Sequence, residues 1–120
     1  MKILVVDDSK AIRMIVIRLL KQSGIANFTS AEASNGAEAL AMIEVHKPDL
    51  VFSDWNMPEM GGIDLLKKLR ESGNRIRFGF ISSESSTEVR NEAALAGAEF
   101  FIVKPFTPLA FEAALSSILA

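Results

Sequence analysis

Short apolar runs alternate along this chain with longer segments of helical periodicity. Each run has four to six residues, and the runs are Ile3–Val6, Leu50–Ser53, Phe78–Ile81 and Phe100–Val103, with a weaker one at Phe28–Ala33. Runs that are apolar almost throughout are typical of parallel strands covered on both faces. In the segments between the runs, and in a last one after Pro108, apolar residues recur at spacings of three and four. This spacing predicts a helix after each strand.

Turn-forming residues divide these elements. Glycine accepts the left-handed cap conformation and stands where three helices should end, at Gly24, Gly73 and Gly97. Ser34 or Asn35 can cap the second helix. The predicted order is (βα)₅ in one domain over residues 1–120, and such alternation gives a parallel sheet with helices on both faces. Five units fit an open, doubly wound three-layer α/β sheet and not a closed eight-stranded barrel.

The composition excludes several kinds of protein. The chain of 120 residues has no Cys, which rules out disulfides, thiolate metal sites and a Cys nucleophile, and its one His, His46, gives little support for a His-based metal site. A formal net charge of −2 argues against nucleic-acid binding. No apolar run approaches the ~18 residues of a membrane span, and the first run is too short for a secretory signal. We therefore expect a cytoplasmic domain that binds neither nucleic acid nor membrane directly.

Polar residues that can carry chemistry follow the predicted strands at their carboxyl ends. Asp7 and Asp8 end strand 1, Asp54 ends strand 3, Ser82 ends strand 4 and Lys104 ends strand 5. Ligands of open parallel sheets bind at this edge. If strands 1 and 3 are neighbours, three carboxylates converge there, and like charges that close raise each other's pKa or require a cation. Oxygen-only ligands favour Mg²⁺, or Mn²⁺ as a substitute, over Zn²⁺.

These strand-end residues stand within motifs that resemble those of a known family. The motifs are Val5-Val6-Asp7-Asp8-Ser9, Asp54-Trp55-Asn56-Met57-Pro58-Glu59-Met60-Gly61-Gly62, Ala96-Gly97-Ala98 and Val103-Lys104-Pro105-Phe106. Over essentially its whole length the chain resembles the receiver domains of two-component response regulators, and most closely the single-domain chemotaxis regulators of the CheY type. The resemblance implies a flavodoxin-like fold with strand order 2-1-3-4-5.

The resemblance also implies a phosphorylation site. Asp54 would be the phosphoacceptor, which takes a phosphoryl group from the phosphohistidine of a histidine kinase or histidine phosphotransfer protein. Asp8, Asp54 and the backbone carbonyl of Asn56 would ligate Mg²⁺, and Asp7 would act mainly through a water. Lys104 would pair with a phosphoryl oxygen.

Further residues would transmit or end the signal, again by resemblance. Ser82 would offer its hydroxyl to the phosphoryl group and so draw in the loop after strand 4. Phe101 stands at the family's aromatic switch position, and the alternative is a fixed core ring. Asn56 and Glu84 would orient the water that removes the phosphoryl group, with a lifetime of seconds to minutes.

Partner surfaces are predicted at two places. On the first helix, Met14 and Ile17 should lie away from the buried stripe and form a docking patch for the donor, unless they are scattered exposed apolar residues; Pro105 is a further candidate contact. The family's output face is formed by helix 4, strand 5 and helix 5. The downstream target would be a protein such as the flagellar motor switch or another regulator, and we expect a monomer, with a dimer as the alternative.

Other functions remain as alternatives. An FMN-binding flavodoxin has a similar sheet, but it needs a Ser/Thr/Gly-rich phosphate loop where this chain has Asp7-Asp8-Ser9. An Asp-nucleophile phosphohydrolase usually shows an Asp-x-Asp motif after strand 1 and a larger chain. Within the family, the chain could be the receiver of a non-chemotaxis or multidomain regulator with a separate output partner. We expect a switch protein rather than an enzyme, with its own self-phosphorylation and autodephosphorylation chemistry.

Overall fold

Five strands alternate with five helices in the part of the chain that the computed structural model describes: residues 1–25, 27–84, 86–104 and 106–119, the last three by their backbone alone. The elements are β1 (Lys2–Val6), α1 (Lys10–Gln22), β2 (Thr29–Ala33), α2 (Gly36–His46), β3 (Leu50–Asp54), α3 (Gly62–Glu71), β4 (Arg77–Ser82), α4 (Thr87–Ala96), β5 (Phe100–Val103) and α5 (Pro108–Leu119). No helix within these ranges is both long and apolar enough to cross a bilayer.

The strands form one parallel sheet in the order β2-β1-β3-β4-β5. This confirms the predicted doubly wound, flavodoxin-like architecture. In the centre of the sheet, Val6 of β1 lies opposite Ser53 of β3, and Asp54 lies opposite Ile81 of β4. The neighbouring positions of β1 and β3 bring their carboxyl ends together, which is the condition on which the predicted acidic site depends.

The sheet separates two cores, and the central strands contribute to both. In β1, Leu4 and Val6 belong to the cluster under α2, α3 and α4, whereas Ile3 and Val5 belong to the cluster under α1 and α5. We call these the α2–α3–α4 core and the α1–α5 core. Because alternate side chains of a strand point to opposite faces, burial on both faces makes every position of β1 from Ile3 onward apolar.

The helix ends lie where the sequence predicts them. Gly97 caps α4 at φ 104°, and Gly24 and Gly73 follow the last residues of α1 and α3 at similarly positive φ. At the start of α2, the side chain of Asn35, and not that of Ser34, accepts the capping amide hydrogen bond at 2.8 Å. The edge strand β2 begins at Thr29 rather than at Phe28, and of its residues only Ala33 is fully buried, which explains its weak sequence signal.

Candidate functional site

Three aspartates meet at the carboxyl edge of the sheet. Asp7 and Asp8 directly follow β1, Asp54 is the last residue of β3, and one carboxylate oxygen of each lies within 4.8 Å of the others. The loop after β1 is held in place because the Asp7 amide donates to the carbonyl of Ala33 at the end of β2 (3.1 Å). The predicted convergence of the three carboxylates is therefore present in the structure.

Asp7 is the buried member of this acid cluster, with only 2% of its surface exposed. Its Oδ1 accepts a hydrogen bond from the amide of Ser9 (2.8 Å), whereas its Oδ2 is buried and has no hydrogen-bond partner among the described residues. The pKa of Asp7 is raised from 3.8 to about 6: burial is the largest cause, the Ser9 hydrogen bond opposes the rise, and the charges of Asp54 and Asp8 add to it.

Asp54 is half-buried, and its Oδ1 accepts a hydrogen bond from the amide of Trp55 (2.8 Å). Burial raises the pKa of Asp54 above its ordinary value, and the charge of Asp8 adds to this, while the Trp55 amide and the charge of Lys104 oppose it. Close packing fixes the backbone here, because a Cβ at Gly62 would overlap the Asp54 carbonyl oxygen. Only glycine therefore lets α3 begin directly against the end of β3.

The acid cluster fits a hard divalent cation. Three carboxylates meet here, and the orphaned Oδ2 of Asp7 is a buried acceptor for which the described protein groups supply no donor. The chain has no Cys, and the donor atoms are all oxygens, which suits Mg²⁺ or Mn²⁺. Burial is the main cause of the raised pKa values of Asp7 and Asp54, and the neighbouring carboxylates add to it.

Ser82 and the loop after β4 lie beside this cluster. Ser82 is buried, and its Oγ accepts a hydrogen bond from the amide of Glu84 (3.0 Å). The Glu84 carboxylate in turn accepts a hydrogen bond from Nδ2 of Asn56 (3.3 Å), which joins the loops that follow β3 and β4. The structure thus brings together Asn56 and Glu84, the two residues predicted to position water.

Lys104 lies at the end of β5, where its amide donates to the Ser82 carbonyl (2.9 Å). Its side chain is exposed, with Nζ 5.8 Å from the ring centroid of Phe106. Its charge nevertheless opposes the rise in the pKa of Asp54, so the lysine acts electrostatically on the acid cluster. Pro105, a predicted contact residue, lies outside the described residues.

Phe101 of β5 connects the site to the outer surface. Its half-buried ring lies 6.0 Å from that of Phe80 and 6.3 Å from that of Trp55, between centroids. The guanidinium carbon of Arg90 on α4 lies over this ring, 5.2 Å from its centroid. Aromatic packing therefore runs from the residue next to Asp54 to the surface formed by α4 and β5.

On α1, Met14 is 52% exposed, as predicted, but Ile17 is only half-exposed because it packs against the α1–α5 core. The expectation that Ile17 points away from the buried face is therefore wrong in part. Ile15, 41% exposed, is an apolar surface residue that the sequence pattern did not single out. Met14 and Ile17 line a shallow groove together with Arg18 and Lys21.

Arg13 is a residue of the site that the sequence analysis missed. Its guanidinium donates to the backbone carbonyl of Asp7 (2.7 Å) and to Oε1 of Glu32 on β2 (2.9 Å), and its side chain is 14% exposed. It thereby ties the first turn of α1 to the ends of β1 and β2. An arginine in the first turn of a helix that follows two strand-end acids was the available signal.

Comparison with known proteins agrees with this geometry. The model of the response regulator receiver domain family matches residues 3–116. Chemotaxis protein CheY-3 of Vibrio cholerae is 43% identical over 120 residues, which cover 98% of this chain and 91% of that protein. Chemotaxis protein CheY of Pseudomonas aeruginosa is 41% identical over 109 residues, which cover 89% and 86%.

Solved structures show the same fold. Chemotaxis response regulator CheY4 of Vibrio cholerae superposes with a TM-score of 0.84 at 33% identity, over 98% of this chain and 97% of that one. The receiver domain of response regulator NarL from Mycobacterium tuberculosis superposes with a TM-score of 0.85 at 31% identity, over 98% of this chain and 94% of that one. This chain belongs to the response regulator receiver domain family of two-component signalling and resembles its CheY-type members.

Proposed function

We propose that this chain is a phosphorylation-dependent switch in which Asp54 accepts a phosphoryl group from the phosphohistidine of a histidine kinase or histidine phosphotransfer protein. The observation that carries the proposal is the meeting of Asp54 with Asp7 and Asp8 within 4.8 Å at the sheet edge. Three carboxylates this close repel one another, so they do not serve packing alone. Their meeting supports a site that binds a cation and a phosphoryl group.

The chemistry is an in-line transfer of the phosphoryl group from a nitrogen of the donor to an oxygen of the acceptor. A carboxylate oxygen of Asp54 forms a bond to phosphorus while the bond from phosphorus to the donor's imidazole nitrogen breaks. The leaving imidazole takes up a proton, and Asp54 becomes an acyl phosphate. Because a carboxylate is a weak nucleophile, the chain contributes position and charge neutralisation rather than a strong base.

The metal ligands would be Asp8, Asp54 and the backbone carbonyl of Asn56, with Asp7 acting mainly through a water. The oxygen-only donor set and the unpartnered Oδ2 of Asp7 support this assignment. When bound there, Mg²⁺ or Mn²⁺ would neutralise charge on the carboxylates and on the phosphoryl oxygens. Lys104 adds a positive charge that pairs with a phosphoryl oxygen once Asp54 is modified.

The signal would begin at Ser82. Its hydroxyl oxygen accepts a hydrogen bond from the Glu84 amide of its own loop, and its O–H can also donate to a phosphoryl oxygen on Asp54. That donation would draw the loop inward and leave space into which the Phe101 ring can move. The face formed by α4, β5 and α5 would then change its affinity for a downstream protein.

The phosphoryl group would be removed by water that Asn56 and Glu84 orient. The hydrogen bond between their exposed side chains joins the loops after β3 and β4 and is long enough, at 3.3 Å, to be exchanged for water at little cost. An amide and a carboxylate at these positions favour a phosphoryl lifetime of seconds to minutes.

The pathway proposed for this switch is chemotaxis, with a target such as the flagellar motor switch or another regulator. Relatives that are 41% and 43% identical carry the name chemotaxis protein, which supports this choice. The alternative is a regulator outside chemotaxis, or a multidomain one, that uses the same receiver chemistry. In either case we expect a cytoplasmic protein with one receiver domain over residues 1–120 that works as a monomer.

Labelling with radioactive acetyl phosphate tests the phosphoacceptor. In the presence of Mg²⁺ the wild type should gain a label that hydroxylamine releases, as an acyl phosphate requires. Asp54→Asn should abolish the label, whereas Asp64→Asn, which changes an exposed acid on α3, should retain it. Unlabelled wild type, or full labelling of the Asp54 variant, would contradict the proposal.

A further inference from the structure

A groove runs between α2 and α3 and opens at the edge of the sheet opposite the acid cluster. Its inner part is a hollow of about 290 Å³ between the two helices. Its outer part is a hollow of about 820 Å³ at the amino ends of β3 and β4. Ile43, Glu44 and Asn74 line both hollows, so the two form one continuous groove.

The groove has an apolar floor and a basic rim. The floor is formed by Leu40, Ile43, Leu50, Leu69 and Ile76. The rim carries Lys47 after α2, Lys68 on α3 and Arg75 before β4, and all three residues are exposed. Across the described ranges, none of these three side chains forms a salt bridge with a carboxylate.

The acidic groups at the groove cancel this charge only in part. They are Glu44 on α2 and Asp49, two carboxylates against the three rim cations, and the Asp49 carboxylate also accepts a hydrogen bond from the backbone amide of Lys2 (2.7 Å). On the α3 side, burial and the charge of Arg75 lower the pKa of Arg70, while the charge of Glu99 opposes this. The rim therefore attracts negative charge while the floor can bury apolar side chains.

We propose that this groove binds an acidic segment of a partner protein that also carries apolar side chains. Its Asp and Glu residues would pair with the rim cations, and its Leu, Ile or Phe residues would fill the floor. The groove is open to solvent along its length and does not enclose a small molecule as ligand pockets do. An amphipathic segment lying in an apolar groove is an established mode of recognition.

The groove is independent of the proposed phosphotransfer. It lies at the amino ends of β3 and β4, whereas Asp54 lies at the carboxyl end of β3. A second protein could therefore bind here while the acid cluster exchanges phosphoryl groups. Acetyl phosphate labelling of groove variants should equal that of the wild type, so that failure of one proposal leaves the other standing.

A random peptide-display library provides an unbiased probe. Peptides are selected on the wild type alone, and each is then measured on the wild type and on the double variant Lys68→Glu with Arg75→Glu. We expect the selected peptides to be rich in Asp, Glu, Leu, Ile and Phe. The double variant should bind them about tenfold or more weakly, because two attractive charges become repulsive.

The matched control is the double variant Arg18→Glu with Lys21→Glu, which makes the same charge change on exposed positions of α1, on the other face of the sheet. It should bind the selected peptides within about twofold of the wild type, because these positions lie away from the groove. The neutral pair Lys68→Gln with Arg75→Gln should give an intermediate loss, and it serves as the second measurement if charge reversal impairs folding.

Several outcomes would overturn the proposal. One is that no selected peptide depends on the groove charges, and another is that the groove-dependent peptides lack acidic residues. Equal loss of binding in the α1 control would indicate general charge attraction. Full displacement of the peptides by ATP at an equal concentration would assign the groove to a small anion instead.

Discussion

Replacing Asp7 by Asn should stabilise the metal-free protein at pH 7. The wild-type carboxylate is buried, its Oδ2 has no hydrogen-bond partner in the described structure, and Asp8 and Asp54 lie close by. Asn removes the charge but keeps a carbonyl oxygen for the Ser9 amide, and its Nδ2 can donate to a neighbouring carboxylate.

The size of the effect follows from the pKa of Asp7. Its rise from 3.8 to about 6 corresponds, at 1.36 kcal/mol for each pKa unit, to on the order of 3 kcal/mol of lost stability when the group is ionised in both states. Rearrangement around the site makes this an upper bound, and we expect about 1–3 kcal/mol from the substitution.

The sign of the pH dependence follows from the same shift. Between pH 3.8 and about 6 the folded state binds the proton of Asp7 more tightly than the unfolded state, so the free energy of unfolding falls as the pH rises through this range. Above about pH 6 the free energy of unfolding falls no further on account of Asp7. The advantage of Asp7→Asn should therefore be full at pH 7 and nearly absent at about pH 4.

Urea unfolding followed by circular dichroism measures these differences, first with EDTA and then with Mg²⁺. Without metal, Asp7→Asn should have the higher free energy of unfolding at pH 7. Mg²⁺ at a concentration one hundred times its dissociation constant should raise the free energy of unfolding of the wild type by about 2.7 kcal/mol, and that of the variant by less. Glu112→Gln, a change of an exposed acid on α5, should stay within about 0.5 kcal/mol of the wild type. A metal-free Asp7→Asn protein less stable than the wild type at pH 7 would refute the buried-charge argument.

Three further predictions concern other parts of the molecule. Gly62→Ala should cost about 3 kcal/mol of stability and weaken Mg²⁺ binding, because the added Cβ would overlap the Asp54 carbonyl oxygen. Gly73→Ala, the control, adds a Cβ at positive φ but in open space and should cost about 1 kcal/mol. Equal losses of stability in urea unfolding would contradict the steric cause. Met14→Lys with Ile15→Lys should slow phosphotransfer from the histidine kinase but leave acetyl phosphate labelling intact, and an unchanged kinase rate would remove α1 as the docking surface. Phe101→Ala should reduce the difference in partner affinity between phosphorylated and unphosphorylated protein, and wild-type affinities in both states would rule out a switch role for this ring.

The central strands and the place of the acid cluster could be predicted from the sequence. Strands β1, β3 and β4 are buried on both faces, so their apolar runs marked them to within about a residue. The edge strand β2 gave a weaker signal because four of its five residues retain solvent contact. Topology then located the site, since the carboxyl ends of adjacent parallel strands meet at one edge.

Side-chain contacts between elements could not be predicted in this way. The hydroxyl of Ser82 accepts a hydrogen bond from its own loop, which depends on how that loop folds back. Arg13 reaches the Asp7 carbonyl and Glu32 only because α1 packs beside the ends of β1 and β2. Ile17 has the sequence position of an exposed residue, yet it is partly buried because it packs against the α1–α5 core.

The position of Trp55 makes the protein its own optical sensor. It is the one tryptophan in a chain that has no tyrosine, so its indole ring dominates the ultraviolet fluorescence. Its amide holds the Asp54 carboxylate, and its ring lies 4.9 Å from that of Phe80 and 6.3 Å from that of Phe101, between centroids. Emission from a single unlabelled ring should therefore respond in real time if a cation binds at the acid cluster or if the Phe101 ring moves.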